Sequence, residues 1–243
     1  MSSDTPATAV VVGARNLGAA ITRDVLARGL RVVGLARTPG DLDALRADGA
    51  IPIRADATDP EQLRAALADS AVQIRPLDLI VNAVSASRPP NDGSGFGGGP
   101  VAKVTIAGFD GWAVAVTRQA FVFLSTAARA LEEHGGTLVQ ITGGPARRAN
   151  PQRGLIAAGS AAVRALAHAA AQELRDNGIH VALLIVDGII ASPKTAQMTS
   201  AMPTNALVRH QDVSEAVRFL ATQSARSMTH ELVITPTGDR WLP

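Results

Sequence analysis

Along the whole chain, short runs of β-branched and aliphatic residues alternate with longer stretches whose apolar residues recur every three or four positions. The runs are Ala9-Val-Val-Val12, Leu30-Arg-Val-Val-Gly-Leu35, Ile51-Pro-Ile53, Leu77-Asp-Leu-Ile-Val81, Thr137-Leu-Val-Gln-Ile141, His180-Val-Ala-Leu-Leu-Ile-Val186 and Glu231-Leu-Val-Ile234. Helical patterns follow Gly13 as far as Gly29, then fall at about 41–48, 60–68, 109–134, 156–176 and 211–223. Strand, crossover helix and next strand in strict succession build a parallel sheet, and runs apolar at every position belong to a sheet covered on both faces. The expected fold is α/β, a single-domain, doubly wound, Rossmann-like parallel sheet of about seven strands spanning 1–243. A chain of 243 residues buries a continuous core of that size. No internal repeat or linker divides it.

Composition removes several classes of function. There is no cysteine, hence no disulfide framework, no thiolate metal site and no cysteine nucleophile, and no metal is expected. No apolar run approaches the length of a membrane span, and Met1-Ser-Ser-Asp-Thr-Pro6 lacks the basic end and apolar stretch of a signal peptide. The expectation is a cytoplasmic protein without a membrane partner. A pI of 9.9 invites a nucleic-acid reading. The net charge is only +2, however, from 23 basic and 21 acidic residues, with two lysines and no tyrosine to titrate above neutrality. The arginines are scattered, so no nucleic-acid partner is expected.

Gly13-Ala-Arg-Asn-Leu-Gly18 lies between the first strand and the first helix. Glycines there let a backbone approach a pyrophosphate, which the helix N-terminal amides then face. The turn departs from the six-residue G-x-G-x-x-G form, with Arg15 in place of the second glycine, and Asn16 is the residue best able to replace a glycine at positive φ. Gly13, Arg15, Asn16, Leu17 and Gly18 are therefore candidate cofactor contacts. The second strand ends on Ala36-Arg37, without the carboxylate that would hold a free ribose 2′-hydroxyl. Arg37, with Arg15, suits a 2′-phosphate, so NADP(H) is favoured over NAD(H); the alternative for Arg37 is a solvated surface charge. Asp56 follows the third strand, where it can meet an adenine edge. The glycine-rich segment 88–100 leaves the fourth strand on the carboxyl edge of the sheet, as either a flexible loop or a cover over substrate.

The order and spacing of these landmarks resemble the short-chain dehydrogenase/reductase family over nearly the full chain. Asp78-Leu-Ile-Val-Asn82 is similar to its D-x-L-V-N-N-A-G, Gly135-Gly-Thr-Leu-Val-Gln-Ile-Thr142 to its G-G-x-I-V-N-I-S, and Gln172-Glu-Leu-Arg-Asp-Asn-Gly-Ile-His-Val181 to its A-E-L…G-I-R-V. Against that family's glycine loop, this one is a residue short. The resemblance implies an Asn, Ser, Tyr and Lys that relay a proton to the substrate carbonyl. In this chain those positions carry Val116, Gly143, Ile156 and Ser160, and no tyrosine exists anywhere. Ser160 keeps a hydroxyl for a ribose, and Asn82 joins the cofactor set. The family's Pro-Gly after the sixth strand reads Asp187-Gly188, which puts a carboxylate where a nicotinamide would lie, as a cofactor contact, a substitute proton source, or a plain loop carboxylate. Thr142 is the second low-ranking catalytic candidate.

Two functions remain open. The first is an NADP(H)-binding protein that has lost ordinary carbonyl chemistry and serves as a partner subunit or runs a reaction without hydride transfer, such as isomerisation or cyclisation. The second is an NADPH-dependent oxidoreductase acting on an activated C=O, C=N or C=C group, with the proton from water, Asp187 or the substrate. A weaker third is a sensor whose bound cofactor reports redox state. The partner in each case is a small molecule. The family's assembly mode implies a homo-dimer or tetramer through the helices at about 109–134 and 156–176, with a hetero-oligomer as a further possibility.

Overall fold

A computed structural model describes residues 7–90 and 95–239. Strand β1 (Thr8–Val12) is buried along its whole length. Its side chains alternate between two cores: Val10 and Val12 enter one, Ala9 and Val11 the other. That alternation is why a strand covered on both faces shows no polar positions. The chain continues through α1 (Leu17–Ala27), β2 (Arg31–Ala36), α2 (Pro39–Ala47), β3 (Ile51–Arg54), α3 (Pro60–Gln73) and β4 (Leu79–Asn82). Then come α4 (Ile106–Phe109), α5 (Ala115–Leu131), β5 (Gly136–Gly143), α6 (Gly154–Glu173) and β6 (Ile179–Val186). The last part holds β7 (Ile189–Ile190), α7 (Ala196–Thr199), β8 (Leu207–Val208), α8 (His210–Ala221) and β9 (Glu231–Ile234).

Seven strands form one sheet in the order β3-β2-β1-β4-β5-β6-β9. Every neighbouring pair is parallel. Apolar residues of α3, α5 and α6, among them Leu63, Phe123 and Val163, pack on one face. Those of α1, α2 and α8, among them Ile21, Leu45 and Val217, pack on the other. The doubly wound sheet expected from the alternation is present, with the expected number of strands. Local signals set the helix starts. Asp59 accepts hydrogen bonds from the amides of Glu61 and Gln62 ahead of Pro60, and Thr38 accepts from Asp41 ahead of Pro39. At Gly34 a Cβ would stand 2.6 Å from Leu45 Cδ2, so the glycine lets α2 approach the sheet.

The structure departs from the sequence reading at several places. Helix α3 runs five residues past the expected stop at 68. Ser70 is buried and donates to the Ala66 carbonyl at 2.7 Å, and Ile74 beyond it enters the core. The expected helix over 109–134 is broken: Asp110–Val114 is a π-turn between α4 and α5, and α5 ends at Leu131. At Gly111 a Cβ would lie 2.1 Å from the Arg88 carbonyl oxygen, and the Arg88 amide donates to the Gly111 carbonyl at 2.9 Å. The π-turn thus lies where backbone from the loop after β4 presses on the helix. The two-residue pair β7–β8 is too short to leave a periodic pattern. Helix α6, contrary to the statement that no run could cross a bilayer, has the length and mean hydropathy (1.3) to do so. Its alanines raise the hydropathy, but Leu155, Ile156, Val163, Ala167 and Ala171 face the protein, which makes it a core helix.

Leu63 is fully buried between α3 and the sheet, whereas Phe121 of α5 is 56% exposed. Leu63→Ala should cost about 2–5 kcal/mol in denaturant unfolding. Phe121→Ala should stay within about 0.5 kcal/mol in the monomeric protein.

Candidate functional site

The turn from β1 into α1 is built by close backbone approach. Gly13 has φ +79°, and a Cβ there would meet the Val84 side chain at 2.8 Å. A Cβ on Gly18 would lie 2.2 Å from the Gly13 carbonyl oxygen, so both glycines are sterically required. Asn16 takes φ 49°, the positive value that its place in the shortened turn demands. The Arg15 amide donates to Gly13 O at 2.8 Å and the Gly18 amide to Arg15 O at 2.9 Å, which closes the turn despite the missing residue. Arg15 is exposed on its rim, while Leu17 spends its side chain on the core.

Arg37 emerges just past β2 with half its side chain in solvent, and its Nη1 lies 3.4 Å from Asp56 Oδ2. Asp56 is fixed by its own surroundings: Oδ1 accepts from the Thr58 amide at 2.9 Å and the Thr58 hydroxyl at 2.8 Å. Partial burial pushes the Asp56 carboxyl upward, but the two Thr58 hydrogen bonds and the Arg37 charge outweigh it and hold the group below its ordinary value. Beside this pair a cavity of about 540 Å³ opens between Asp56, Thr58, Ala86, Arg118 and Gln119. The ion pair is exposed, so it costs little to exchange Asp56 for another anion on Arg37.

Toward the middle of the sheet edge, Asn82 is buried in an amide network. Its Nδ2 donates to Gln119 Oε1 at 3.0 Å and to Gln140 Oε1 at 2.8 Å, and its Oδ1 accepts from the Val84 amide at 3.3 Å. Asn82 thus ties α5, β4 and β5 together at the mouth of the cleft. Thr142 and Gly143 end β5, paired with Ile185 and Val186. Gly143 is extended, and a Cβ there would meet nothing closer than Pro145 Cδ at 3.4 Å, so the site accepts a larger residue.

Asp187 follows β6 but does not stand open to the cleft. It is 6% exposed, and its Oδ2 lies 2.7 Å from Arg148 Nη1 and 3.5 Å from Arg147 Nη1. Its Oδ1 occupies the space where Gly144 would carry a Cβ, at 2.0 Å. The carboxylate fastens the β5–α6 connection to the end of β6. The two arginines were missed in sequence, although their adjacency just after Gly143-Gly-Pro-Ala146 was the available signal.

Val116, Ile156 and Ser160 fall on α5 and α6. Ile156 is 8% exposed and clusters with Trp112 and Leu155, with Val116 packed against them. The glycine-rich segment presses down on this cluster. Gly97, Gly98 and Gly99 all have positive φ, and a Cβ on Gly97 would come within 2.9 Å of Ile156 Cγ2. Within segment 88–100, Gly97 and Gly98 thus pack on Ile156, Leu155 and Trp112; residues 91–94 lie outside the described residues. Ser160 is 4% exposed and makes no side-chain hydrogen bond among the described residues. His168 on α6 bonds Glu231 at the start of β9 at 2.8 Å, beside Arg164. No cluster of potential metal ligands occurs among the described residues.

The profile of the family described as "Enoyl-(Acyl carrier protein) reductase", of short-chain type, matches residues 11–238. Farnesol dehydrogenase of Aedes aegypti is 26% identical over 241 residues, covering 96% of this chain and 97% of that protein. Human dehydrogenase/reductase SDR family member 11 is 26% identical over 251 residues, covering 94% of each. Among solved structures, the closed form of serine dehydrogenase complexed with NADP+ superposes with a TM-score of 0.83 at 17% identity, over 97% of both chains. An NADPH-bound short-chain oxidoreductase from Pseudomonas aeruginosa PAO1, described as containing an atypical catalytic center, has a TM-score of 0.79 at 22% identity, over 97% of this chain and 98% of that one.

Two outcomes follow from the geometry. Asp56, with its folded pKa depressed, contributes stability that is present above the unfolded aspartate value of about 3.9 and is lost as pH falls through the lower folded value. Thr58→Val should raise the Asp56 pKa, as read from its carboxyl carbon shift in an NMR titration, and an unchanged value would place the cause elsewhere. Ile156→Tyr should destabilise the protein by about 1–3 kcal/mol in thermal melts, because the ring has no room beneath Gly97.

Proposed function

The chain belongs to the short-chain dehydrogenase/reductase family, and from that premise we propose that it binds NADP(H) at the carboxyl edge of its sheet without performing the family's ordinary ketone chemistry. Its pocket then serves a reaction without hydride transfer, of isomerase or cyclase type, or the chain serves as a partner subunit. The observation that carries this reading is Ile156, packed apolar against Trp112, Leu155 and Gly97 where the resemblance expects a proton-donating tyrosine.

The residues present fit the dinucleotide. Gly13 and Gly18 leave the β1–α1 turn bare of side-chain bulk, with Asn16 supplying the positive φ between them. Arg37 and Arg15 are exposed where a 2′-phosphate would lie, and Asp56 stands at the adenine side. A guanidinium binds phosphate through paired, charge-assisted hydrogen bonds, which favours NADP(H). When bound, NADPH supplies a hydride. The chain's own groups do little to complete a ketone reduction: Ile156 has no proton to give, Gly143 has no hydroxyl to orient an oxygen, and Ser160 is buried without a cation's influence on a neighbour. Asp187 is engaged by Arg148 and Arg147 and is better placed to hold the loop than to hand over a proton. Thr142 sits half-buried in the β5 ladder, paired with Ile185.

A second reading is favoured by one observation, the likeness to the NADPH-bound oxidoreductase with an atypical catalytic center. In it the protein reduces an activated C=O, C=N or C=C group, and water or the substrate supplies the proton. Orientation alone lowers such barriers by several kcal/mol. A homo-dimer or tetramer is proposed for either reading, through α5 and α6. Ala158, Ala161, Ala165 and Ala169 line the outer side of α6, and Phe121 stands exposed on α5. A hetero-oligomer would use the same face.

Titration of NADPH and NADH should show tighter binding of NADPH. Arg37→Asp should weaken NADPH by about tenfold or more, the effect of losing a charge-assisted hydrogen bond of about 1.5–3 kcal/mol, and leave NADH nearly unchanged. Equal affinity of the unaltered protein for both would refute the cofactor assignment. If NADPH is oxidised by an iminium or enone substrate, the second reading replaces the first. Asp187→Asn leaving the rate of that oxidation and its pH dependence unchanged would then assign the proton to water or substrate. Light scattering should give a dimer or tetramer, and a monomer at micromolar concentration would contradict the α5–α6 assembly.

A further inference from the structure

On the outer side of the glycine-rich cover, away from the nucleotide turn, lies a groove of about 700 Å³. Its lining includes Phe96 and Gly98 from the cover, Lys103 and Thr105 beyond it, and Gln152 and Arg153 at the entry to α6. None of the residues lining it is acidic, while two are cations. Neither Lys103 nor Arg153 has an ion-pair partner among the described residues. The Arg153 guanidinium lies over the Phe96 ring, 5.5 Å from its centroid. An aromatic face orients a guanidinium without cancelling its charge, so Arg153 is held in place and still available to an anion.

The groove is built rather than incidental. The Gly99 amide donates to the Gln152 carbonyl at 3.0 Å, and Gln152 takes φ 67° to present it. Gly98 packs so tightly on Leu155 that a Cβ would come within 2.6 Å of it. These contacts lock one wall to the other. Phe96, 62% exposed, meets Trp112 edge-on at 5.1 Å, which gives the wall an apolar surface.

A second, independent observation points to a ligand. Trp112 is 94% buried (6% exposed), and its indole Nε1 has no hydrogen-bond partner. Its Cδ1, the ring atom bonded to that nitrogen, faces Gly98, 3.4 Å from where a Cβ would be. The N–H edge is therefore turned toward the groove wall. A buried donor left unpaired costs about as much as a lost hydrogen bond and is uncommon in native structures, so it calls for an acceptor.

We propose that this groove binds an amphiphilic anion, a carboxylate or phosphate joined to an apolar chain or ring. Lys103 and Arg153 hold the anionic head and Phe96 contacts the apolar part, with the indole N–H behind Gly98 as a donor the ligand reaches only where that wall gives way. The site abuts the cover over Ile156 but uses none of the residues proposed to hold NADP(H), so it stands whether or not that cofactor binds.

The test is a fluorescence titration of the full chain without cofactor, in a Trp241→Phe background so that Trp112 reports alone. The probes are decanoate, decyl phosphate, decanol and inorganic phosphate. Decanoate or decyl phosphate should change the emission and bind at least about tenfold more tightly than decanol, a difference of about 1.4 kcal/mol. Tighter binding of decyl phosphate than of decanoate would identify the head group as phosphate, and the reverse as carboxylate. Arg153→Ala and Lys103→Ala, both surface changes, should each weaken the anion by a similar factor with melting temperature unchanged, and Arg153→Lys should keep most of it. Decanol binding as well as decanoate, or full affinity in the Arg153→Ala and Lys103→Ala variants, would overturn the proposal. So would saturation by inorganic phosphate at the same affinity as decyl phosphate, since the apolar wall would then contribute nothing.

Discussion

A parallel strand cannot complete its backbone hydrogen bonds with its own sequence neighbour, so each strand here depends on partners reached through a crossover helix. β1 is the strand on which most of this rests. It is paired along Thr8–Val12 with β2 on one side and along Ala9–Val12 with β4 on the other. Asp78 anchors its start, accepting from the amides of Ala7 and Thr8. With β1 fixed in the middle, the carboxyl ends of β1, β2, β4, β5 and β6 all open on one edge. The Gly13 turn, Arg37, Asn82, Gly143 and Asp187 stand along that edge because of the alignment alone.

In the proposed reading, packing takes the positions where the family resemblance expects proton-transfer groups. Ile156 is held by Trp112, Leu155 and the backbone at Gly97, whose positive φ only glycine adopts without strain. Asp187 is held by two guanidiniums. An active site that moves protons needs groups with a free lone pair or a free hydrogen aimed at substrate. Here Ile156 is apolar and Asp187 is already engaged, whereas the periphery keeps its exposed cations at Arg15, Arg37, Lys103 and Arg153. The molecule is better equipped to hold anions than to deliver protons.

The strands were legible because runs such as Ala9-Val-Val-Val12 and His180-Val-Ala-Leu-Leu-Ile-Val186 leave no room for another reading once helices alternate with them. The glycine turn was legible for the same reason, down to the positive φ of Asn16. Features created by contacts between distant segments were not. The π-turn at Asp110–Val114 exists beside the close approach of Arg88 to Gly111, 23 positions along the chain. Asp187 read as a carboxylate near a nicotinamide because nothing in its neighbourhood in sequence announces Arg147 and Arg148, some 40 residues earlier. The helix read over 60–68 continues to Gln73 because the bond from Ser70 to the Ala66 carbonyl shows only when the surrounding core is in view. The orphaned Trp112 nitrogen has no sequence signature at all.

The claim at the centre of this account is that the dinucleotide binds while the ordinary reduction fails for want of a proton donor at Ile156. The direct test is a single-turnover experiment in which protein saturated with NADPH is mixed with a simple ketone such as cyclohexanone and the cofactor signal is followed. The account predicts NADPH bound and unconsumed on the timescale of normal turnover. Oxidation at a rate typical of enzymes, on the order of 1–10³ per second, would contradict it.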